Sequence, residues 1–331
     1  MTVSAQVTPG SVPPAAFEEQ EAIAGRSLGQ LAWMRLRRDK GAMTAMITLI
    51  VIIALAVFAP LITRMLHIDP LSFDDKAVSQ DGGLPIGPFG GMSLAHPLGV
   101  EPGTGRDNLA RLLYGARVSL FISFSATIIT CTIGVLVGIV AGYRRGWVDG
   151  ALGRFMDIVL AFPLLLVALS MAPVLTQRLQ SMGLSGNGGR VLYLILVISI
   201  FGWPYLARIV RGQVLSIRER EFVESAVSMG AGTSRILFRE ILPNLWAPIL
   251  VYATIVMPSY IALEASLSFL GVGVLPPTPT WGAMLADSVR YFVVDPAFLF
   301  FPGALLFIVV FAFNSLGDAV RDALDPRTGR V

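Results

Sequence analysis

The chain has 331 residues, 54% hydrophobic and only 14% charged, with a formal net charge of +3. Soluble domains are nearer a quarter charged, so this composition points to an integral membrane protein rather than a soluble one. The basic residues are scattered between apolar runs and form no stripe with aromatics, so they read as topology signals and not as a nucleic-acid surface.

Residues 1–25 are rich in Pro, Ala and Glu and lack a long apolar run, so a disordered cytoplasmic tail is expected there. No cleavable signal peptide is expected, because the first apolar segment starts far downstream and is long enough to span. Ser27 is placed to cap a short helix carrying Leu28, Leu31 and Leu36 against Arg35, Arg37, Arg38 and Lys40. Two readings fit: a helix in the membrane interface with Trp33 at headgroup depth, or an ordinary basic flank before a span.

About six apolar runs then reach the spanning length of roughly 20 residues. They lie near 42–63, 115–142, 155–175, 190–210, 244–270 and 298–318. The expected organisation is a cytoplasmic segment 1–41, a first transmembrane helix 42–63 and an extracytoplasmic loop 64–114. A transmembrane core 115–318 follows, containing a cytoplasmic loop 212–243, and a cytoplasmic tail 319–331 closes the chain. Orientation follows from the basic residues. One set of segments holds Arg35, Arg37, Arg38, Lys40, Arg144, Arg145, Arg154, Arg208, Arg211, Arg218, Arg220, Arg235, Arg239, Arg321, Arg327 and Arg330. The other holds only Arg64, Lys76, Arg106, Arg111, Arg178, Arg190 and Arg290, so both termini are placed in the cytoplasm.

The loop 64–114 is dense in Gly and Pro and is expected to be irregular and water-facing. His96 invites a metal reading, but His67 is the other histidine of two and no cysteine is near, so no metal site is expected. Arg106 and Asp107 are expected to pin the loop to the top of the second span. In the third span, Asp157 reads as interfacial and Pro163 as a kink that neighbouring helices tolerate.

The stretch Glu221–Pro243 is a polar island between apolar runs. Ser216 and Glu219 fit a capping box, so a helix is expected to start there, with Phe222, Val223, Ala226, Val227 and Met229 on one face. Gly230-Ala-Gly232 breaks it, and a second short helix pairs Leu237 with Ile241 and Phe238 with Leu242 before Pro243 ends it. On spacing alone the hairpin is either a functional surface or a connector between spans. In the fifth span, Glu264 must face protein or water, since a mid-membrane carboxylate costs about 2.5 kcal/mol or more. Glu264 and Ser268 are candidates for a pathway or gate, against the plainer reading of a structural hydrogen bond to a neighbouring helix.

Several motifs carry a family resemblance. Glu224-Ser-Ala226, Gly230 and Leu242-Pro243 resemble the cytoplasmic "EAA loop" of ABC importer permeases. Ser225 replaces the first Ala of that pattern, and Glu240 stands where it has an apolar residue, with Ile241 one place later. His96-Pro-Leu-Gly99, Gly105-Arg-Asp107 and Leu113-Tyr-Gly-Ala-Arg-Val-Ser119 resemble the signature of the peptide/nickel branch, with Val100-Glu101 in place of its usual Thr-Asp. The fourth-span run Trp203 to Gln213, the run Glu264 to Gly273, Pro276 to Gly282 and Leu316 to Pro326 match the same branch in order. The resemblance covers about 96–326, and its dipeptide and oligopeptide permease C-type subunits are the most similar members.

That resemblance implies an all-α polytopic fold of the type I ABC importer kind in the bacterial inner membrane. It implies a second homologous permease subunit, two ATP-binding subunits and an extracytoplasmic substrate-binding protein as partners. Peptide would be the substrate, and membrane lipid would surround the spans. It further implies that Arg220, Glu221, Glu224, Ser225, Ala226, Met229, Gly230, Ala231 and Gly232 couple to an ATPase. Arg220 and Glu224 would make polar contacts, Ala226 and Met229 would fill its groove, and Gly230 would set the turn. The chain itself offers no ATP site, because a P-loop needs Gly-Lys and neither Lys40 nor Lys76 follows a Gly. ATP and Mg would be bound by the partners, and no cofactor is expected in this chain. Nickel or another small solute is the alternative cargo. A stand-alone channel or ion-driven carrier, or a scaffold that moves nothing, are the readings from other classes.

Overall fold

A computed structural model describes residues 28–184 and 186–324. The expected N-terminal tail 1–25, the Ser27 cap and the end of the expected C-terminal tail, from residue 325, lie outside the described residues. The described residues form helices α1 (Leu28–Arg38), α2 (Lys40–Val57), α3 (Ala59–Leu66) and a single turn α4 (Pro88–Gly91). Then come α5 (Asn108–Arg144), α6 (Gly146–Ala161), α7 (Leu164–Ser181), α8 (Asn187–Ile217), α9 (Glu221–Ser228) and α10 (Thr233–Arg235). A π-helical turn (Ile236–Ile241) leads into α11 (Leu242–Phe269), followed by α12 (Trp281–Ser288) and α13 (Pro296–Leu324).

Five helical runs are long and apolar enough to cross a membrane: α2, α5, α8, the run Thr233–Phe269 and α13. The α6–α7 pair makes a sixth if counted as one span, bent by 83°. The residues expected as one helix of the third span, near 155–175, fall in this bent pair. Its break sits at Phe162, whose ψ of 129° is extended. The ring of Pro163 crowds the residue before it out of the helical region, and here it ends the helix instead of kinking it.

Packing centres on α5 and α8, which run side by side. Gly134, Gly138 and Gly142 line one face of α5. A Cβ at Gly138 would stand 2.7 Å from both the Ala207 carbonyl oxygen and Val210 Cβ, and one at Gly142 would stand 2.7 Å from Val214 Cβ. In lipid the tails are as apolar as Leu, so helices associate through close backbone approach, which small residues permit. The α11 helix packs across α5 and α8, α13 packs on α11 and α2, and α1 lies along α13.

At the end of the bundle where α5 begins, the segment between α3 and α5 folds onto it. The Asp107 carboxylate accepts from the Ala110 N–H at 2.7 Å and caps α5. His96 Nδ1 lies 2.9 Å from the same carboxylate. The Arg106 guanidinium sits 4.6 Å over the Phe73 ring. The buried Trp281 indole donates to the Leu112 carbonyl at 3.2 Å, and Arg111 pairs with Glu101 at 3.3 Å. Outside the spans, Asp74 has its carboxyl held below the usual carboxylate range, first by the Lys76 N–H, with burial opposing and His96 assisting.

Candidate functional site

At the opposite end of the bundle, the hairpin between α8 and α11 stands clear of the spans. The α8 helix runs on to Ile217, so Ser216 lies in its last turn and caps nothing. The expected helix start moves to Glu221, with Arg220 as an N-cap that makes no side-chain bond. Glu221 and Glu224 fill the first turn of α9, where negative charge suits the helix dipole.

The end of α9 is set by Gly230 at φ +78°. The Gly230 N–H donates to the Val227 carbonyl at 2.9 Å and the Ala231 N–H to the Ala226 carbonyl at 3.0 Å. This pair of bonds closes a helix with a left-handed residue, which favours Gly. Ala231 is half-buried and packs against the cluster below, while Gly232 precedes α10 with extended angles.

Inward and outward sides of α9 differ sharply. Val223 is 2% exposed and joins Ile139 of α5, Val210 and Val214 of α8, and Ile236, Ile241 and Leu245 on the other arm. Ala226 is also buried, at 5%. It therefore cannot fill a partner's groove as expected, because its methyl is spent on the hairpin's own packing. The apolar side chains left free are Phe222, Val227 and Met229, the last 80% exposed. Arg220, Glu221, Glu224 and Ser225 surround them and are exposed.

The second arm is not a separate short helix, and Pro243 does not end it. Thr233 to Phe269 is one helical run passing through the π turn. Pro243 is the second residue of α11, directly after the π turn, and the helical run continues past it. The π turn also resolves the displaced apolar position. Its wider i to i+5 spacing lets Ile236 and Ile241 both point inward, at 2% and 0% exposure. Glu240 is left at the edge, and its carbonyl accepts from the Asn244 side chain at 2.7 Å.

Two contacts bind the hairpin to the end of α5. Arg218 Nη1 donates to the carbonyls of Gly142 at 3.2 Å and Tyr143 at 3.0 Å, satisfying acceptors that a helix end leaves open. Arg145 pairs with Glu219. The hairpin is thus in contact with α5, α8 and α11 together. Sequence reasoning placed Arg218 only among topology charges. The glycines four apart in α5 were the available cue to the helix that it clamps.

The other candidates lie elsewhere. Glu264 is fully buried in α11, and Ser268 donates to its Oε1 at 2.8 Å. Ser119 and Thr280 flank it from α5 and the approach to α12. A Cβ on Gly273 or Gly282 would overlap Ser268 at 2.0 or 2.7 Å, so the knot is closed on several sides. The structure brings Glu264 and Ser268 together in a buried hydrogen bond, the plainer of the two arrangements expected of them. Among the described residues, no group of three or more His, Cys, Asp or Glu side chains is gathered to hold a metal ion.

Residues 134–330 match the family model of the binding-protein-dependent transport system inner membrane component. Residues 27–80 match that of the N-terminal transmembrane domain of oligopeptide transport permease C. The chain is 36% identical over 327 residues to the oligopeptide transport system permease protein OppC of Bacillus subtilis (strain 168), covering 96% of this chain and 98% of the relative. It is 35% identical to the dipeptide transport system permease protein DppC of Alkalihalophilus pseudofirmus, over 96% of this chain and 95% of the relative. It is 39% identical to the glutathione transport system permease protein GsiD of Escherichia coli O157:H7, over 89% of each. Among solved structures, a chain of the inward-facing MetNI methionine ABC transporter is similar in fold. The TM-score is 0.52 at 20% identity, over 65% of this chain and 96% of that one.

Proposed function

Because the chain belongs to the binding-protein-dependent inner membrane transport components, and among them to the ABC importer permeases, we propose that it carries di- and oligopeptides inward across the membrane. The observation that carries this reading is the exposed hairpin, built on a rigid base beneath three spans. The peptide cargo is supported by the near-full-length likeness to permeases named for oligopeptides and dipeptides.

The chain forms half of a translocation pathway, and a second, related permease forms the other half. Two ATP-binding subunits sit below, one of them against Glu221–Gly232, and they bind ATP and Mg and carry out hydrolysis. A substrate-binding protein delivers peptide to the loop at the opposite end. The hairpin end, with the termini, faces the cytoplasm, as the excess of Arg there supports. When ATP draws the two ATPases together, α9 moves with its seat. Its buried base then turns α5, α8 and α11 as rigid bodies from inward to outward access. Phe222, Val227 and Met229 enter the ATPase groove, with Arg220 and Glu224 as polar flanks.

The test is purification from native membranes in mild detergent, with identification of what accompanies the chain. A second six-span permease and P-loop ATPases are the expected companions. Recovery of the chain alone, or paired only with itself, would move the ion-driven carrier ahead of this reading.

A further inference from the structure

A groove of about 430 Å³ runs between α2 and α13 at the hairpin end of the bundle. Lys40 stands at its mouth, and Thr44, Thr48, Phe307, Phe311 and Ser315 line it. Its walls are effectively apolar. The Thr44 hydroxyl donates back to the Lys40 carbonyl at 2.8 Å and that of Thr48 to the Thr44 carbonyl at 2.9 Å, which leaves their methyl groups for the groove. Phe307 and Phe311 stack on each other with centroids 6.0 Å apart, both more than 60% exposed.

Lys40 makes the mouth cationic, and Arg37 and Arg38 precede it by three and two residues at the end of α1. All three are exposed, and no carboxylate of the described residues is within ion-pair distance of any of them. Asp39, between them, is spent on capping α2: it accepts from the Gly41 N–H at 2.8 Å and the Ala42 N–H at 3.2 Å. Helix α1 is fixed beside the groove, because Arg35 donates to the Ala323 carbonyl of α13 at 3.3 Å. Trp33 on α1 is 47% exposed, an amphipathic ring of the kind that settles at headgroup depth.

We infer that this groove is a binding site for an anionic phospholipid. The headgroup phosphate lies among Arg37, Arg38 and Lys40, and one acyl chain lies along Phe307 and Phe311. Charge complementarity selects this occupant. A partner helix would need acidic side chains placed at the mouth, whereas a phospholipid carries an anionic head and an apolar tail in one molecule. Basic groups at a membrane surface each strengthen the hold on acidic lipid about fivefold, so the three act together by about a hundredfold. The site fixes α1 against α13 from the lipid side, and it does not depend on which solute the chain carries.

The test is native mass spectrometry of the purified chain titrated with phosphatidylglycerol or with phosphatidylcholine of the same acyl chains. Phosphatidylglycerol is expected to be retained preferentially. Lys40→Gln should weaken its retention about fivefold, and Arg37→Gln/Arg38→Gln/Lys40→Gln about a hundredfold. If the triple variant fails to fold, the three single variants are read instead, each about fivefold weaker. Thr44→Trp, which fills the groove and leaves every charge in place, should also lose the lipid. Soluble glycerol phosphate should not compete. Equal retention of the two lipids overturns the site. So does retention unchanged in the charge variants, lipid still bound by Thr44→Trp, or competition by glycerol phosphate as strong as that of the lipid.

Discussion

At Gly230 the backbone holds φ +78° with open space where a side chain would go. A substitution there is opposed by backbone strain and not by a clash. Val in that conformation costs on the order of 1–3 kcal/mol, enough to reshape one exposed turn but not to unfold a membrane bundle. Gly230→Val is therefore expected at normal levels in the membrane with peptide uptake lost, while Gly230→Asn, which tolerates the left-handed region, retains uptake. Membrane immunodetection alongside labelled dipeptide uptake checks both; normal uptake by the Val variant would sink the coupling role of α9. Glu264 is the opposite kind of residue. Glu264→Gln keeps an acceptor for Ser268, so melting temperature and uptake should both hold. Glu264→Ala strands the buried hydroxyl and should lower stability by about 1–3 kcal/mol. Loss of uptake in the Gln variant with unchanged melting would restore Glu264 as a pathway residue.

Among the elements, the α5–α8 contact tolerates least. With a Cβ at Gly138 already 2.7 Å from Val210 Cβ, Gly138→Leu cannot be absorbed by a rotamer change. The expected result is loss of folded protein from the membrane, read by detergent-solubilised yield and gel filtration. Arg218→Ala acts more narrowly: it frees the Gly142 and Tyr143 carbonyls and unclamps the hairpin from α5. Membrane levels should hold while uptake falls, and unchanged uptake would show that the clamp carries no motion. Apolar runs made five of the spans readable, because a lipid-facing helix must be apolar along its whole length. The bent pair α6–α7 was not readable as such. The apolar run passes unbroken across Phe162-Pro163, and Pro inside a span can kink a helix or end it. The hairpin was legible at Gly230, where only one backbone conformation suits the turn. It was illegible at Ala226 and Ile241. At Ile241 a one-residue π insertion shifts the inward face, which periodicity at 3.6 cannot register. At Ala226 the apolar set Phe222, Val223, Ala226, Val227 and Met229 spans both the inward and the outward side of α9, and spacing does not say which members face in.

For the whole molecule, the arrangement separates two ends. One is a folded loop pinned through Asp107 to the start of α5; the other is an exposed hairpin seated on α5, α8 and α11. Between them α5 and α8 pack backbone to backbone at Gly138 and Gly142, and the proposed function has them move as units. On the proposed function, this chain supplies the moving path and its partners supply energy and cargo. The direct measurement is uptake of a labelled dipeptide into proteoliposomes holding this chain with its co-purified permease and ATPases, binding protein outside and ATP within. ATP-dependent accumulation, abolished by omitting the ATPases or by Gly230→Val, is the predicted result. Accumulation that persists without the ATPases and follows an imposed ion gradient would contradict the account.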